Sequence, residues 1–281
     1  MSIWEALILG FVQGATEFLP VSSSGHLVLL QKIFGIEESA LVFDTAVHCG
    51  TLIAVFIVLW RDIWNILRRI VQPLTLYLVI ATIPAVIAAL FFKHEIEDAF
   101  ASGAFLGFAF LLTSALLFFS EKLYRRAGLP GGFPGKLDSP APARLQDEMN
   151  LADALTIGLL QAVAIIPGVS RSGATISAAL SRKLDRDFAA RFSFLLSIPA
   201  ILGALVLQVK DLGAGNAGAA DAGIGPLPIA IGTITAGLVA FFSIRLALKI
   251  VREHSLRGFA AYTGLLGLLV LADKFGTHFF F

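Results

Sequence analysis

Gln13-Gly-Ala-Thr-Glu17-Phe-Leu-Pro-Val-Ser-Ser-Ser-Gly-His26 interrupts the first long apolar stretch of the chain. Glu17 and His26 are the only ionisable groups between Ala6 and Gln31. Pro20 and the serines at 22–24 break a helix here and suit the start of another, so the stretch reads as two short helices joined by a turn. A second stretch is broken in the same manner. Pro167-Gly-Val-Ser-Arg-Ser-Gly-Ala-Thr175 contains Arg171, the one charge between Ala154 and Ser181.

The surroundings of both segments point to lipid. Apolar residues make up 57% of the 281 and charged residues 15%, with a mean hydropathy of +0.84. A soluble domain carries about 25% charge, and a globule of this size has too little interior to hide the excess. The formal net charge of +1 and the lack of a basic stripe exclude nucleic acid as a partner. Cys49 stands alone, so an intramolecular disulfide is excluded, and it reads as a small apolar filler. The first segment carries Glu5 rather than a basic flank, so it is expected to be retained rather than cleaved.

Six apolar segments are long enough to span, or become so with their flanks: 45–60, 70–92, 99–120, 192–209, 222–244 and 258–272. The two broken stretches align with each other. Gly10-Phe-Val-Gln13 matches Gly158-Leu-Leu-Gln161, and at the same offset Val21-Ser-Ser-Ser-Gly25 matches Val169-Ser-Arg-Ser-Gly173. Ala81-Thr-Ile-Pro-Ala85 resembles Gly232-Thr-Ile-Thr-Ala236 at nearly that spacing. The expected fold is therefore an all-α integral membrane protein, a single membrane domain over residues 1–281. It is built of two repeats, about 1–125 and about 150–281, with a Pro- and Gly-rich linker over about 126–149. Each repeat is a re-entrant broken-helix hairpin plus three transmembrane helices. Three is odd, so the second repeat is expected upside down relative to the first. On that topology sixteen of the 21 cations fall on one face, Lys32, Lys93, Lys210 and Lys274 on the other, and Arg171 between them. The positive-inside rule then puts both termini and the 210–226 loop outside. Broken helices of inverted repeats point their ends at a shared site near the midplane.

Ionisable groups at membrane depth are costly and mark function. Glu17 and Arg171 could serve only to lock the hairpins together, and Ser22, Ser23, Ser24, Ser170 and Ser172 could be plain helix caps. Capping and anion binding are compatible, however, because a Ser/Gly turn feeding a helix offers backbone amides and a positive dipole end. Two such helix starts with the fork of Arg171 suit a multiply charged phosphate group. Binding alone needs neither Glu17 nor His26. His26 can activate a serine or water or attack phosphorus, and Glu17 can orient it, hold a divalent cation, or both.

The quoted segments resemble the signatures of the undecaprenyl-diphosphate phosphatases, the bacitracin-resistance family. The first is similar to (Glu/Gln)-x-x-x-Glu followed by Pro-Val-Ser-Ser-x-Gly-His, the second to Pro-Gly-x-Ser-Arg-Ser-Gly-Ala-Thr, and the resemblance covers essentially the whole chain. It implies hydrolysis of undecaprenyl diphosphate to the monophosphate at the outer face of a bacterial cytoplasmic membrane, with Mg²⁺ or Ca²⁺. It implies catalytic roles for Glu17, Ser23 and His26, with Glu17 as the metal residue. Phosphate contacts fall to Ser22, Ser170, Arg171, Ser172 and Thr175, and supporting polar roles to Gln13 and Gln161. Gln13 stands where many relatives of this pattern carry an acid, so Glu17 has to do more alone.

The rival class is an inverted-repeat transporter or flippase for a lipid phosphate or small anion, with Arg171 and Glu17 as substrate and coupling sites. A purely structural protein would leave the buried charges without purpose. Gly264 and Gly267 permit close helix packing, either within the chain or in a homodimer.

Overall fold

The computed structural model describes residues 1–36, 41–103, 105–129, 148–213 and 224–278. The described residues form twelve α-helices and no strand. The first hairpin is α1 (Ile3–Thr16) and α2 (Ser23–Ile33); α3 (Leu41–Val58) follows and bends by 76° into α4 (Trp60–Arg68). Then come α5 (Pro73–Phe91), α6 (Lys93–Ser102) and α7 (Leu106–Arg126). The second hairpin is α8 (Leu151–Val163) and α9 (Arg171–Ser181), followed by α10 (Arg186–Gly213), α11 (Pro226–Glu253) and α12 (Arg257–Ala272).

Local chemistry sets these boundaries. Ser2 caps α1 in a reciprocal box with Glu5, and Asn150 caps α8 in the same box with Asp153. Pro73 opens α5 at a position where its missing N–H costs nothing. Gly103 ends α6 in the left-handed conformation, φ 62°. That cap corrects one expectation: the span expected at 99–120 starts only at Leu106 and runs to Arg126, carrying Glu121 and Arg125 with it.

Five helices are long and apolar enough to cross a membrane, and six if the bent α3–α4 pair counts as one span. They correspond one to one to the six expected segments. Large apolar side chains such as Phe91, Val79, Leu238 and Leu265 face outward, more than half exposed, which suits lipid contact. The chain is a multi-pass membrane protein. Most of the linker expected at about 126–149, and most of the 210–226 loop, lie outside the described residues.

Packing brings the broken stretches to the centre. α1 lies on α11 and α8 on α5; α11 also meets α3, and α5 meets α10. Backbone approaches backbone at these seams: Gly10 packs on Gly232, and a Cβ on Gly158 would stand 2.7 Å from the carbonyl oxygen of Ala81. Phe18 meets Phe194 edge-on at 5.2 Å, tying the first hairpin to α10. Gly264 faces Ser114, and Gly267 faces Gly107, so both are spent on the α7–α12 contact inside the chain. At one end of the bundle Glu121 receives Arg186 at 2.7 Å and Arg125 at 2.8 Å, all within a buried knot under Tyr124.

Candidate functional site

The two hairpin turns, 17–22 and 164–170, face each other. Both are drawn into helix starts by the same device. Ser22 Oγ accepts from the Gly25 amide at 3.2 Å, and Ser170 Oγ accepts from the Gly173 amide at 3.0 Å. The amides of Ser23, Ser24, Arg171 and Ser172 have no partner among the described residues. They are the first-turn donors that an anion can satisfy.

The hairpins are also stitched to one another. Ser172 Oγ donates to the Leu19 carbonyl at 3.0 Å, and the Gly168 amide donates to Ser24 Oγ at 3.4 Å. Between these stitches sits Glu17, 7% exposed. Arg171 Nη2 donates to its Oε1 at 2.5 Å. Its Oε2 accepts from Ser23 Oγ at 2.5 Å and Gln13 Nε2 at 3.0 Å, with His48 Nε2 at 3.6 Å. A buried carboxylate is tolerable only with such partners.

His26 is held differently from expectation. Its Nδ1 lies 2.6 Å from the Ser22 carbonyl, which can only accept, so Nδ1 carries the proton. Its Nε2 lies 2.7 Å from the Tyr262 hydroxyl, and the two rings stack 5.8 Å apart. Glu17 therefore orients Ser23 and Arg171, not His26. The Ser22 carbonyl is aimed by an uncommon backbone, φ 71° at a non-glycine residue, of the kind that clusters at functional sites.

The other expected residues divide. Thr175 is fully buried behind Arg171; its hydroxyl meets the Arg171 carbonyl at 2.9 Å and Ser193 Oγ at 2.6 Å, so it braces the guanidinium's helix turn rather than facing the space between the hairpins. Ser170 and Ser172 are spent on the cap and the stitch. Gln13 joins the cluster. Gln161 does not: it reaches the Ala81 carbonyl at 3.4 Å across the α8–α5 seam.

Four neighbours escape a reading by motif. Tyr262, His48, Thr113 and Ser193 come from α12, α3, α7 and α10. Thr113 Oγ1 accepts the Ser170 amide at 3.0 Å. A polar tip in an otherwise apolar span was the available signal for Tyr262 and His48.

The residues present do not by themselves form a divalent-cation site. Among the described residues no three His, Cys, Asp or Glu side chains converge. Glu17 already faces the charge of Arg171 and two further donors.

Comparison with known proteins shows the family. The family described as "Bacitracin resistance protein BacA" matches residues 6–269. A protein of Carboxydothermus hydrogenoformans named undecaprenyl-diphosphatase is 42% identical over 271 residues, covering 96% of this chain and 97% of that protein. Undecaprenyl-diphosphatase 4 of Bacillus cereus is 40% identical over 98% of both chains. An undecaprenyl-diphosphatase of Methanosphaera stadtmanae is 35% identical over 96% of this chain and 98% of its own. With the match extending through both hairpins and all the spanning helices, the chain belongs to the bacitracin resistance protein BacA family.

Proposed function

We propose that this chain hydrolyses undecaprenyl diphosphate to undecaprenyl phosphate and inorganic phosphate. The observation that carries the reading is the convergence of Ser23, Glu17 and Arg171 between two helix starts with free amides. That is a phosphoryl-transfer arrangement: a hydroxyl nucleophile on a carboxylate, with a planar cation and backbone donors for the phosphate oxygens. The lipid phosphatases among its relatives share the full length of the chain.

The reaction runs in two steps. The diphosphate draws Arg171 from Glu17 onto its oxygens and settles on the amides of α2 and α9. Ser23 Oγ then forms a bond to the terminal phosphorus while its proton passes to Glu17 Oε2. The bridging P–O bond breaks, and its electron pair leaves on the lipid monophosphate. In the second step water attacks the phosphoserine and gives a proton to His26 Nε2, which the Tyr262 hydroxyl vacates. The Ser23 oxygen leaves phosphorus and recovers its proton from Glu17. Ser22 sets the tautomer of His26; Ser170, Ser172 and Thr175 hold the turn that presents Arg171; Gln13 steadies Glu17, and Gln161 supports the α8–α5 seam. Mg²⁺ or Ca²⁺ would enter on the diphosphate, since magnesium is commonly held by one or two carboxylates plus substrate phosphates, and would neutralise its charge.

We read the chain as one membrane domain of two inverted repeats. Three correspondences at a single offset support this: the Ser2–Glu5 and Asn150–Asp153 boxes, the Ser22 and Ser170 caps, and the Ser24 and Ser172 stitches. The seams exchange as a two-fold requires, α1 on α11 and α8 on α5. Charge bias then puts both termini outside, and the family resemblance leads us to read entry from the outer face of the bacterial cytoplasmic membrane. Purified protein in detergent, which has no second compartment, should release phosphate from undecaprenyl diphosphate. If it binds the lipid but releases none, the hydrolase reading fails and a flippase remains.

A further inference from the structure

The corner between α4 and α5 carries features that hydrolysis leaves unused. A cavity of about 420 Å³ opens there, lined by Asp62, Asn65, Arg68, Arg69 and Gln72 among others. Its one acid is already answered, because Arg191 of α10 donates to Asp62 Oδ2 at 3.1 Å. Arg68 and Arg69 have no carboxylate partner among the described residues; Arg68 lies over the Trp64 ring at 4.9 Å. Gln72 Nε2 is buried without a partner, and α5 starts at Pro73 with no side-chain cap. Two guanidinium groups, an idle amide donor and a bare helix start make this an anion pocket.

An apolar groove starts at the next residue of α5, since Leu74 lines the pocket and Thr75 the groove. Thr75, Leu78, Val79, Thr82, Ile83 and Ile87 of α5, closed by Pro199 of α10, line about 300 Å³. The spacing puts them on one helix face, and the stripe covers roughly 18 Å of helix. One leaflet of hydrocarbon is about 15 Å deep. Trp60 and Trp64 stack at 5.2 Å on the exposed side of α4, which turns 76° away from α3. Such aromatic residues sit at headgroup level. A soluble anion would have no use for the groove, and a neutral lipid would have no use for the two arginines.

We infer that the α4–α5 corner lodges one anionic phospholipid, its phosphate on Arg68, Arg69 and Gln72 and one acyl chain along the α5 groove. The lipid is a ligand here and undergoes no reaction. The inference stands apart from the hydrolase reading, since none of these residues lies in the hairpin turns or bonds to Glu17 or His26.

The test is native mass spectrometry of the full chain in detergent, titrated with phosphatidylglycerol and with phosphatidylcholine of the same acyl chains. Phosphatidylglycerol should be retained in preference. R68Q/R69Q should weaken it about five- to thirtyfold, as one or two interfacial cations would, and leave phosphatidylcholine unchanged. I83W, which fills the groove from an exposed position, should weaken it too, and both variants should keep phosphate release at the wild-type rate. That activity, read in the same samples, certifies folding; if the double variant loses it, Arg69→Gln alone with I83W decides. Equal retention of the two lipids, wild-type retention in either variant, or displacement by millimolar inorganic phosphate would overturn the proposal.

Discussion

Ser23 and Arg171 stand at matching positions of the two hairpins and donate to opposite oxygens of Glu17, each at 2.5 Å. One hairpin supplies a hydroxyl and the other a cation, and a single carboxylate holds both. Three more bonds from Gln13, Ser172 and Ser24 fix the turns around it.

Arg171 is expected to matter through its shape as well as its charge. Arg171→Ala should lower turnover by about 10³. Arg171→Lys should recover little, because a point charge cannot hold two phosphate oxygens at once as a fork does. Steady-state phosphate release in detergent measures both; full activity of the lysine variant would remove the fork from the account.

Tyr262 touches His26 but not the Glu17 cluster. Tyr262→Phe keeps the ring stack and removes the hydroxyl that must leave Nε2 before it can take a proton, so kcat should hold or rise by up to about tenfold, the worth of one hydrogen bond. KM should hold. A change confined to KM would make Tyr262 a lipid contact instead.

Much of this was legible before any coordinates. The hairpins, the six spans and the residues Glu17, His26 and Arg171 follow from breaks and ionisable groups in apolar sequence, because lipid forbids both without a purpose, whereas Ser23 is singled out among its neighbours only by the family resemblance. The partners of His26 were not legible. Proximity in the motif suggested Glu17, but on α2 the ring turns back to the Ser22 carbonyl and outward to Tyr262, a contact spanning most of the chain. The partners of Thr175 were hidden for a related reason: a motif position fixes the helix turn, while the facing Ser193 sets where the hydroxyl bonds. The start of α7 was missed because Gly103 caps α6 within an apolar run.

The seam glycines bear on stability rather than chemistry. At Gly158 a Cβ would meet the Ala81 carbonyl oxygen at 2.7 Å, and that atom is backbone. Gly158→Val should therefore destabilise by about 1–3 kcal/mol, seen as a lower Tm in detergent at unchanged KM. An unaltered Tm would mean that α8 and α5 can part at no cost.

The buried knot at the other end predicts an asymmetry. Arg186, 3% exposed, serves Glu121 and the carbonyl oxygens of Val251 and His254. Arg186→Ala should cost up to about 3 kcal/mol, because Glu121 keeps only the part-exposed Arg125 at 2.8 Å, whereas replacing Arg186 and Glu121 with leucine should recover most of it. Thermal melts of the single and double variants decide this.

The most direct test of the central claim is rapid-quench trapping with undecaprenyl diphosphate labelled on its terminal phosphate. The account predicts label on Ser23, transient in the wild type, lost in Ser23→Ala and suppressed in Glu17→Gln. Label on His26, or hydrolysis at the wild-type rate by Ser23→Ala, would contradict it.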